Sequence, residues 1–114
     1  MGGRASRRKG HDWERVVAKR LRAIFGNAVR RGWQSRDGAE QPDVDGSPWW
    51  VECKRSKRPN IEAARVQAED AAARANDGRA VMAGRKADGA PATVTRRLDD
   101  ALDLIEEWYE RGSR

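Results

Sequence analysis

The stretch PDVDGSPWWVECK, residues 42–54, holds two strand-like runs on either side of a turn. Glycine, serine and proline at 46–48 are turn-forming residues, so the flanking runs are predicted to pair as antiparallel strands. Side chains alternate between the two faces of a strand, which places Glu52 and Lys54 on the same face. The antiparallel pairing also brings Asp43 close to Glu52. The sequence therefore predicts two carboxylates and an amine together on one sheet.

Two acids and a lysine at one place are typical of a phosphodiesterase that uses a divalent metal ion. Carboxylate oxygens hold Mg²⁺, and the bound ion activates a water molecule and offsets charge on the phosphate. The lysine would orient or deprotonate that water. Asp45 shares a face with Asp43 by the same alternation and is a competing ligand.

The opposite interpretation is a solvated strand, since an acid and a lysine two residues apart are common on protein surfaces. The apolar run at residues 49–51 favours a central, buried strand instead. Charged side chains on a buried strand need a partner or a function. Cys53 points to the other face and is interpreted as a small core residue rather than a nucleophile.

This stretch resembles a known nuclease signature. The dipeptide PD at 42–43, eight intervening residues and then ECK at 52–54 match the pattern P-D-(x)n-(D/E)-x-K of the restriction-endonuclease-like superfamily. Within that superfamily the chain is most similar to the small archaeal-type Holliday junction resolvases that also occur in phages. Those proteins open with a glycine, an acidic helix and a basic strand, and GHDWER at 10–15 and VRRGW at 29–33 follow that order. The similarity covers roughly residues 8–85.

The resemblance implies a role for each residue of the site. Asp43 and Glu52 would ligate Mg²⁺, for which Mn²⁺ can substitute, and Lys54 would position the attacking water. Glu14, on the helix upstream, stands where the superfamily places an additional acid and would contribute through a water. An ordinary first-turn acid, favoured by the helix dipole, is an equally good interpretation of Glu14 on local grounds.

Two further positions match polar residues of the resolvases. Ser35 corresponds to a small polar residue near the phosphate, and Gln67 corresponds to a glutamine or lysine on the second helix. Both are also explained as polar surface side chains. The resemblance further implies a homodimer that presents two sites to a four-way DNA junction, with the apolar C-terminal helix as part of the interface.

Length and charge limit the class of protein. A chain of 114 residues predicts one domain, and a net charge of +6 with a pI of about 10.2 favours an acidic polymer such as DNA as partner. A single cysteine excludes an intramolecular disulfide and fits a reducing compartment. The apolar runs are too short to span a bilayer, so we expect no membrane association. The predicted location is the cytoplasm of a bacterial or phage-infected cell, near the nucleoid.

Basic side chains cluster in several parts of the chain, and we predict that they hold backbone phosphates without reading bases. A solvated surface is the alternative for such clusters. Residues 1–9 are small and basic and are predicted to form a flexible arm, with the nuclease domain at 10–114. The candidate nucleic-acid ligands are Ser35 and the basic residues Arg4, Arg7, Arg8, Lys9, Arg30, Arg31, Arg55, Lys57 and Arg58.

The order of elements predicts an α/β fold with a mixed sheet flanked by helices, as in the restriction-endonuclease-like core. Apolar residues at helical spacing and the candidate N-cap Asn60 define the helices. The predicted elements are a helix over 12–25, a strand over 28–34, a loop over 35–41, the two runs of the opening stretch, a helix from Asn60 to about 76–78, strands over 79–84 and 92–95, and a helix from about Arg97.

Together these features predict a Mg²⁺-dependent, structure-selective DNA endonuclease, a Holliday junction resolvase that hydrolyses a phosphodiester. A restriction, repair or general phage nuclease with the same core is the alternative within the enzyme class. A basic DNA-binding accessory protein with a relict site is the alternative outside it.

Overall fold

Three helices and five strands form one α/β domain in the computed structural model, which describes residues 3–32, 40–57 and 60–112. The predicted α/β class and mixed sheet are confirmed. No helix in this part of the chain is long and apolar enough to cross a membrane. The elements are α1 (Gly3–Phe25), β1 (Arg30–Arg31), β2 (Val44–Asp45), β3 (Trp50–Arg55), α2 (Ile61–Arg74), β4 (Val81–Lys86), β5 (Thr93–Thr95) and α3 (Leu98–Glu110).

The strands lie side by side in the order β1-β2-β3-β4-β5. The pairs β1/β2, β2/β3 and β4/β5 are antiparallel, and Val44 stands opposite Val51 as the opening stretch predicted. β3 and β4 are parallel along their whole length. Parallel neighbours need a crossover connection, and α2 provides it.

β3 lies at the centre of the domain because both of its faces are covered. Val51, fully buried, packs with Ala18 and Leu21 of α1 on one face. Trp50, 1% exposed, packs with Ala68 and Ala72 of α2 on the other. The expected central, buried strand is therefore confirmed. Its charged residues follow directly after Trp50 and Val51 in the same strand.

The second helix forms as its sequence predicts. Asn60 is the N-cap, and its side-chain oxygen accepts a hydrogen bond from the N–H of Ala63 at 3.0 Å. Its buried face consists of alanines, which lets the helix approach the sheet closely. The buried alanines are Ala64, Ala68 and Ala72, and the helix ends at the C-cap Ala75.

The first helix begins at Gly3, so the prediction of a start near residue 12 is wrong. The described part of the predicted arm, residues 3–9, forms the first turns of α1. Arginine, lysine and alanine have high helix propensity, and extending a helix that packing already holds costs little. The strand bounds also differ, because β1 is limited to 30–31 and β4 runs over 81–86 to match β3. The predicted loop falls mostly on residues 33–39, outside the described residues.

Two glycines allow β2 to lie very close to its neighbours. Gly46 has φ +96°, and a Cβ there would stand 2.2 Å from the carbonyl oxygen of Ala28. A Cβ on Gly32 would stand 1.8 Å from the carbonyl oxygen of Pro42. The two contacts join the β1 and β2 segments at the two ends of β2, so the position of Asp43, which directly precedes β2, depends on both glycines.

We expect Gly46→Ala to destabilise the protein by about 2 kcal/mol or more, from left-handed backbone strain and the collision with Ala28. Chemical unfolding followed by circular dichroism measures the change. Gly10→Ala is the matched control, because a Cβ there meets nothing within 4 Å and lies inside α1. That variant should gain roughly 0.5–1 kcal/mol. Equal stability of Gly46→Ala and the wild type would contradict the close approach.

Candidate active site

Asp43 and Glu52 face each other where β2 meets β3. The N–H of Asp43 donates to the carbonyl oxygen of Val51 at 2.9 Å. This hydrogen bond holds the backbone of Asp43 against β3. Asp43 Oδ2 accepts a hydrogen bond from the N–H of Cys53 at 2.8 Å. A side-chain hydrogen bond links the carboxyl groups of Glu52 and Asp43. The two acids are therefore in direct contact, as the hairpin predicted.

The environment of this pair favours a shared proton. Burial raises the pKa of Asp43 and outweighs the backbone N–H of Cys53, which lowers it. Burial, the charge of Asp43 and the hydrogen bond to Asp43 raise the pKa of Glu52 to about 8. The pair thus holds a proton at neutral pH when no cation is nearby.

Glu14 and Lys54 complete the site from two other positions. The charge of Glu14 raises the pKa of both Asp43 and Glu52, and the charge of Lys54 lowers both. Glu14 Oε1 accepts hydrogen bonds from Arg31 Nε at 3.2 Å and Arg31 Nη2 at 3.0 Å. Glu14 of α1, Asp43 just before β2, and Glu52 and Lys54 of β3 therefore come together, and these are the four predicted catalytic residues.

Asp45 belongs to a separate ion-pair network. Arg79 Nη1 donates to Asp45 Oδ1 at 2.8 Å, and Arg30 Nη2 lies 3.6 Å from Asp45 Oδ2. Burial raises the pKa of Asp45, but hydrogen bonds from Arg79 and from the N–H of Gly46 together lower it by more. The pKa of Asp45 is therefore below its usual value. Arg79 also lies over the ring of Trp50 at 5.8 Å. Asp43, not Asp45, is the aspartate that contacts Glu52.

The remaining residues considered in the sequence analysis lie outside the carboxylate pair. Gln67 is exposed on α2, and Cys53 packs against the core on the α1 face, where burial raises its pKa. Ser35 and Arg58 lie outside the described residues.

The basic candidates divide into exposed and paired side chains. Arg31, predicted to hold a phosphate, is instead the ion-pair partner of Glu14 at 3.0 Å. Arg30 is paired with Asp45, while Lys9 and Arg55 share Asp88. Lys9 and Arg30 are exposed although they are paired, and the other exposed candidates are Arg4, Arg7, Arg8 and Lys57.

Three contacts of the site were not predicted. They are the ion pair of Arg31 with Glu14, the hydrogen bond from the backbone N–H of Cys53 to Asp43, and the ion pair of Arg79 with Asp45. Each joins elements that are distant in sequence or uses a backbone atom, so no local residue pattern signals it.

The carboxylate pair fits a hard divalent cation. In the stretches 3–32, 40–57 and 60–112, no group of three His, Cys, Asp or Glu side chains is assembled closely enough to hold an ion by itself. Mg²⁺ keeps several waters and commonly takes only one or two carboxylates from a protein. Asp43 and Glu52 are half-buried acids that repel each other when both are ionised, and a cation between them would relieve that repulsion.

Comparison with known proteins gives no relatives for this chain. No family model, no curated protein and no solved structure matches it. The functional interpretation therefore depends on the residues and their geometry.

Without a divalent cation, wild-type stability should fall relative to Glu52→Gln as pH rises from about 4.5 to about 8. The pKa of Glu52 is higher in the folded protein than in the unfolded chain. Its protonation therefore stabilises the folded state fully at pH values below the unfolded-state pKa, and this stabilisation is lost as pH rises through the folded-state pKa. One pKa unit is worth about 1.4 kcal/mol, and we expect a relative change above about 1 kcal/mol.

Thermal unfolding in EDTA across this pH range measures that change. Asp70→Asn, at an exposed position on α2, is the control and should follow the wild type. Parallel pH profiles for wild type and Glu52→Gln would show that Glu52 does not carry the shared proton.

Proposed function

We propose that this chain is a divalent-metal-dependent DNA endonuclease of the restriction-endonuclease-like type, with the activity of a Holliday junction resolvase. The observation that supports it most is the contact between Asp43 and Glu52 with Glu14 and Lys54 close enough to act on their charges. Such a constellation suits phosphodiester hydrolysis. An enzyme of this kind would work in the cytoplasm of a bacterial or phage-infected cell.

Each residue of the site has a distinct role in this proposal. Asp43 and Glu52 would hold Mg²⁺, or Mn²⁺ in its place, after Glu52 loses its proton. When bound, the ion supplies water activation and charge neutralisation. Lys54 would orient the attacking water, and Glu14 would act through a water while Arg31 fixes its carboxylate. Cys53 contributes only its backbone N–H, which orients Asp43.

DNA would be held mainly through its phosphates. The exposed arginines of α1 and the exposed Lys57 provide cations that bind the backbone and carry no base information. A compact domain that contacts phosphates recognises the shape of DNA more readily than its sequence. This favours a branched substrate, and we propose the four-way junction.

A homodimer would present two such sites, and α3 is the surface that we propose to join the subunits. None of the thirteen residues of α3, all of which the structure describes, is buried. The six acids of α3 share one side of the helix, and Asp100, Asp103 and Glu107 line an open groove of about 710 Å³ against the domain. The apolar side, with Leu98, Leu102, Ile105, Trp108 and Tyr109, faces away.

The size of this apolar side suits a contact between two copies. Trp108 and Tyr109 are 62% and 76% exposed. A fully exposed aromatic residue offers roughly 150–250 Å², so these two alone present roughly 200–350 Å². Monomeric proteins rarely expose apolar patches larger than a few hundred Å². A standard interface removes about 800 Å² per partner, so α3 would supply its apolar centre.

Replacing either carboxylate should abolish cleavage and leave DNA binding intact, because the change weakens the metal site without touching the basic surface. We expect Asp43→Asn and Glu52→Gln to lose more than about a hundredfold in rate, and Lys54→Ala a comparable factor. Asp45→Asn is the matched control and should retain activity, since Asp45 contacts Arg79 and Arg30 instead.

The assay uses junction, flap, mismatch and linear DNA with and without Mg²⁺. Preferential cutting of the four-way junction supports the resolvase, and equal rates on all substrates support a general nuclease. Undiminished cleavage by both carboxylate variants would show that the site is wrong. Binding without metal-dependent cleavage of any substrate would support the accessory protein.

The wild type should sediment as a dimer, and Leu102→Ser combined with Ile105→Ser should sediment as a folded monomer. The physical reason is the loss of apolar surface at the centre of the proposed interface. Val66→Ser is the control, because Val66 is also an exposed apolar residue, 41% exposed, but lies on α2. A monomeric wild type at micromolar concentration would contradict the dimer and leave the metal site unaffected.

A further inference from the structure

One carboxylate on the turn after β4 joins two cations from distant parts of the chain. Asp88 Oδ1 lies 2.5 Å from Arg55 Nη2, and Asp88 Oδ2 lies 3.4 Å from Lys9 Nζ. Arg55 is the last residue of β3, and Lys9 lies near the start of α1. Each oxygen of Asp88 therefore faces one cation. Two non-bridging oxygens of a phosphate diester would accept the same pair of charge-assisted hydrogen bonds.

The two cations border an open groove of about 310 Å³. Arg55 lies three residues beyond Glu52 on β3, about 10 Å along the strand. Because side chains alternate, Arg55 lies on the α1 face with Val51 and Cys53, and Glu52 lies on the opposite face. Trp13, in the same groove, directly precedes Glu14. The groove is lined by Lys9, Asp12, Trp13, Val16, Arg55 and Lys86.

The side chains of Arg55 and Asp88 differ in how firmly they are held. The Arg55 side chain is 17% exposed, and its Nη1 also donates to the carbonyl oxygen of Lys86 at 3.4 Å. The side chain of Asp88 is 47% exposed and lies on a turn before Gly89. The guanidinium is thus preorganised to receive an oxyanion, while the carboxylate can rotate into solvent.

We propose that Asp88 occupies the place of a DNA phosphate in the free protein and leaves it when DNA binds. Both are oxyanions, and the same two cations cannot neutralise both fully, so Asp88 competes with DNA for Lys9 and Arg55. The hydrogen bond from Arg55 and the charges of Arg55 and Lys9 lower the pKa of Asp88, which keeps it an anion at neutral pH. This inference rests on the proposed function, because that function makes DNA the ligand.

The test is equilibrium binding of a fluorescently labelled four-way junction in EDTA, so that no cleavage interferes. Asp88→Asn is compared with Asp70→Asn, which makes the same charge change at an exposed position on α2. We expect Asp88→Asn to bind roughly two- to fivefold more tightly than the control, the range that exposed ion pairs contribute. The slope of log K against log salt should become steeper by up to about 0.9, the value for one additional phosphate contact.

A double-mutant cycle with Arg55→Ala locates the effect. In the Arg55→Ala background the gain from Asp88→Asn should shrink, and with Lys9→Ala as well it should disappear, because both cations for which Asp88 competes are then gone. An equal gain from Asp88→Asn and Asp70→Asn, or a gain that persists without both Arg55 and Lys9, would overturn the inference.

The results also separate this inference from the nuclease proposal. If Asp88→Asn behaves as expected but the wild type cuts no DNA with Mg²⁺, the phosphate site stands and the enzyme assignment fails. If the wild type cuts DNA and the Asp88 variant binds like its control, only the competition is refuted. Absence of DNA binding by every variant would refute both.

Discussion

The burial of Val51 and Trp50 on opposite faces of β3 is the constraint on which the site depends. With one side chain against α1 and the next against α2, the register of β3 is fixed, because a slip of one residue would exchange its two faces. Glu52 follows directly, so its carboxyl group is held beside Asp43 by the packing of its neighbours. Holding two acids in contact costs free energy, and the burial of Val51 and Trp50 beside Glu52 offsets that cost.

The first helix carries residues of both the proposed metal site and the proposed phosphate site. Its buried residues hold it on the sheet, and in the same length of chain it carries Glu14 near the carboxylate pair and Lys9 beside Asp88. Since a helix rises about 1.5 Å per residue, these two functions are separated by only about 8 Å along its axis. A shift of α1 would therefore change the site and the groove together. Arg31, by pairing with Glu14, limits such a shift.

Sequence reasoning was most successful where the deciding interactions are local. The pairing of Val44 with Val51 follows from the turn between them, and the start of α2 follows from the Asn60 cap. It was less decisive where a distant partner decides. The choice between Asp43 and Asp45 depends on Arg79, which follows in sequence only after α2. The start of α1 was misplaced because basic composition was taken as a sign of an unstructured arm, although arginine and lysine are good helix formers.

The lack of burial along α3 would make the proposed dimer sensitive to dilution in a further way. A helix of thirteen residues is marginal in water without tertiary contacts. In a lone chain, the backbone amides of α3 would therefore exchange with solvent more readily than those of the central sheet, by local opening. Covering its apolar side would couple the order of this helix to protein concentration. The heat capacity change of association would then include ordering of α3 as well as burial at the contact.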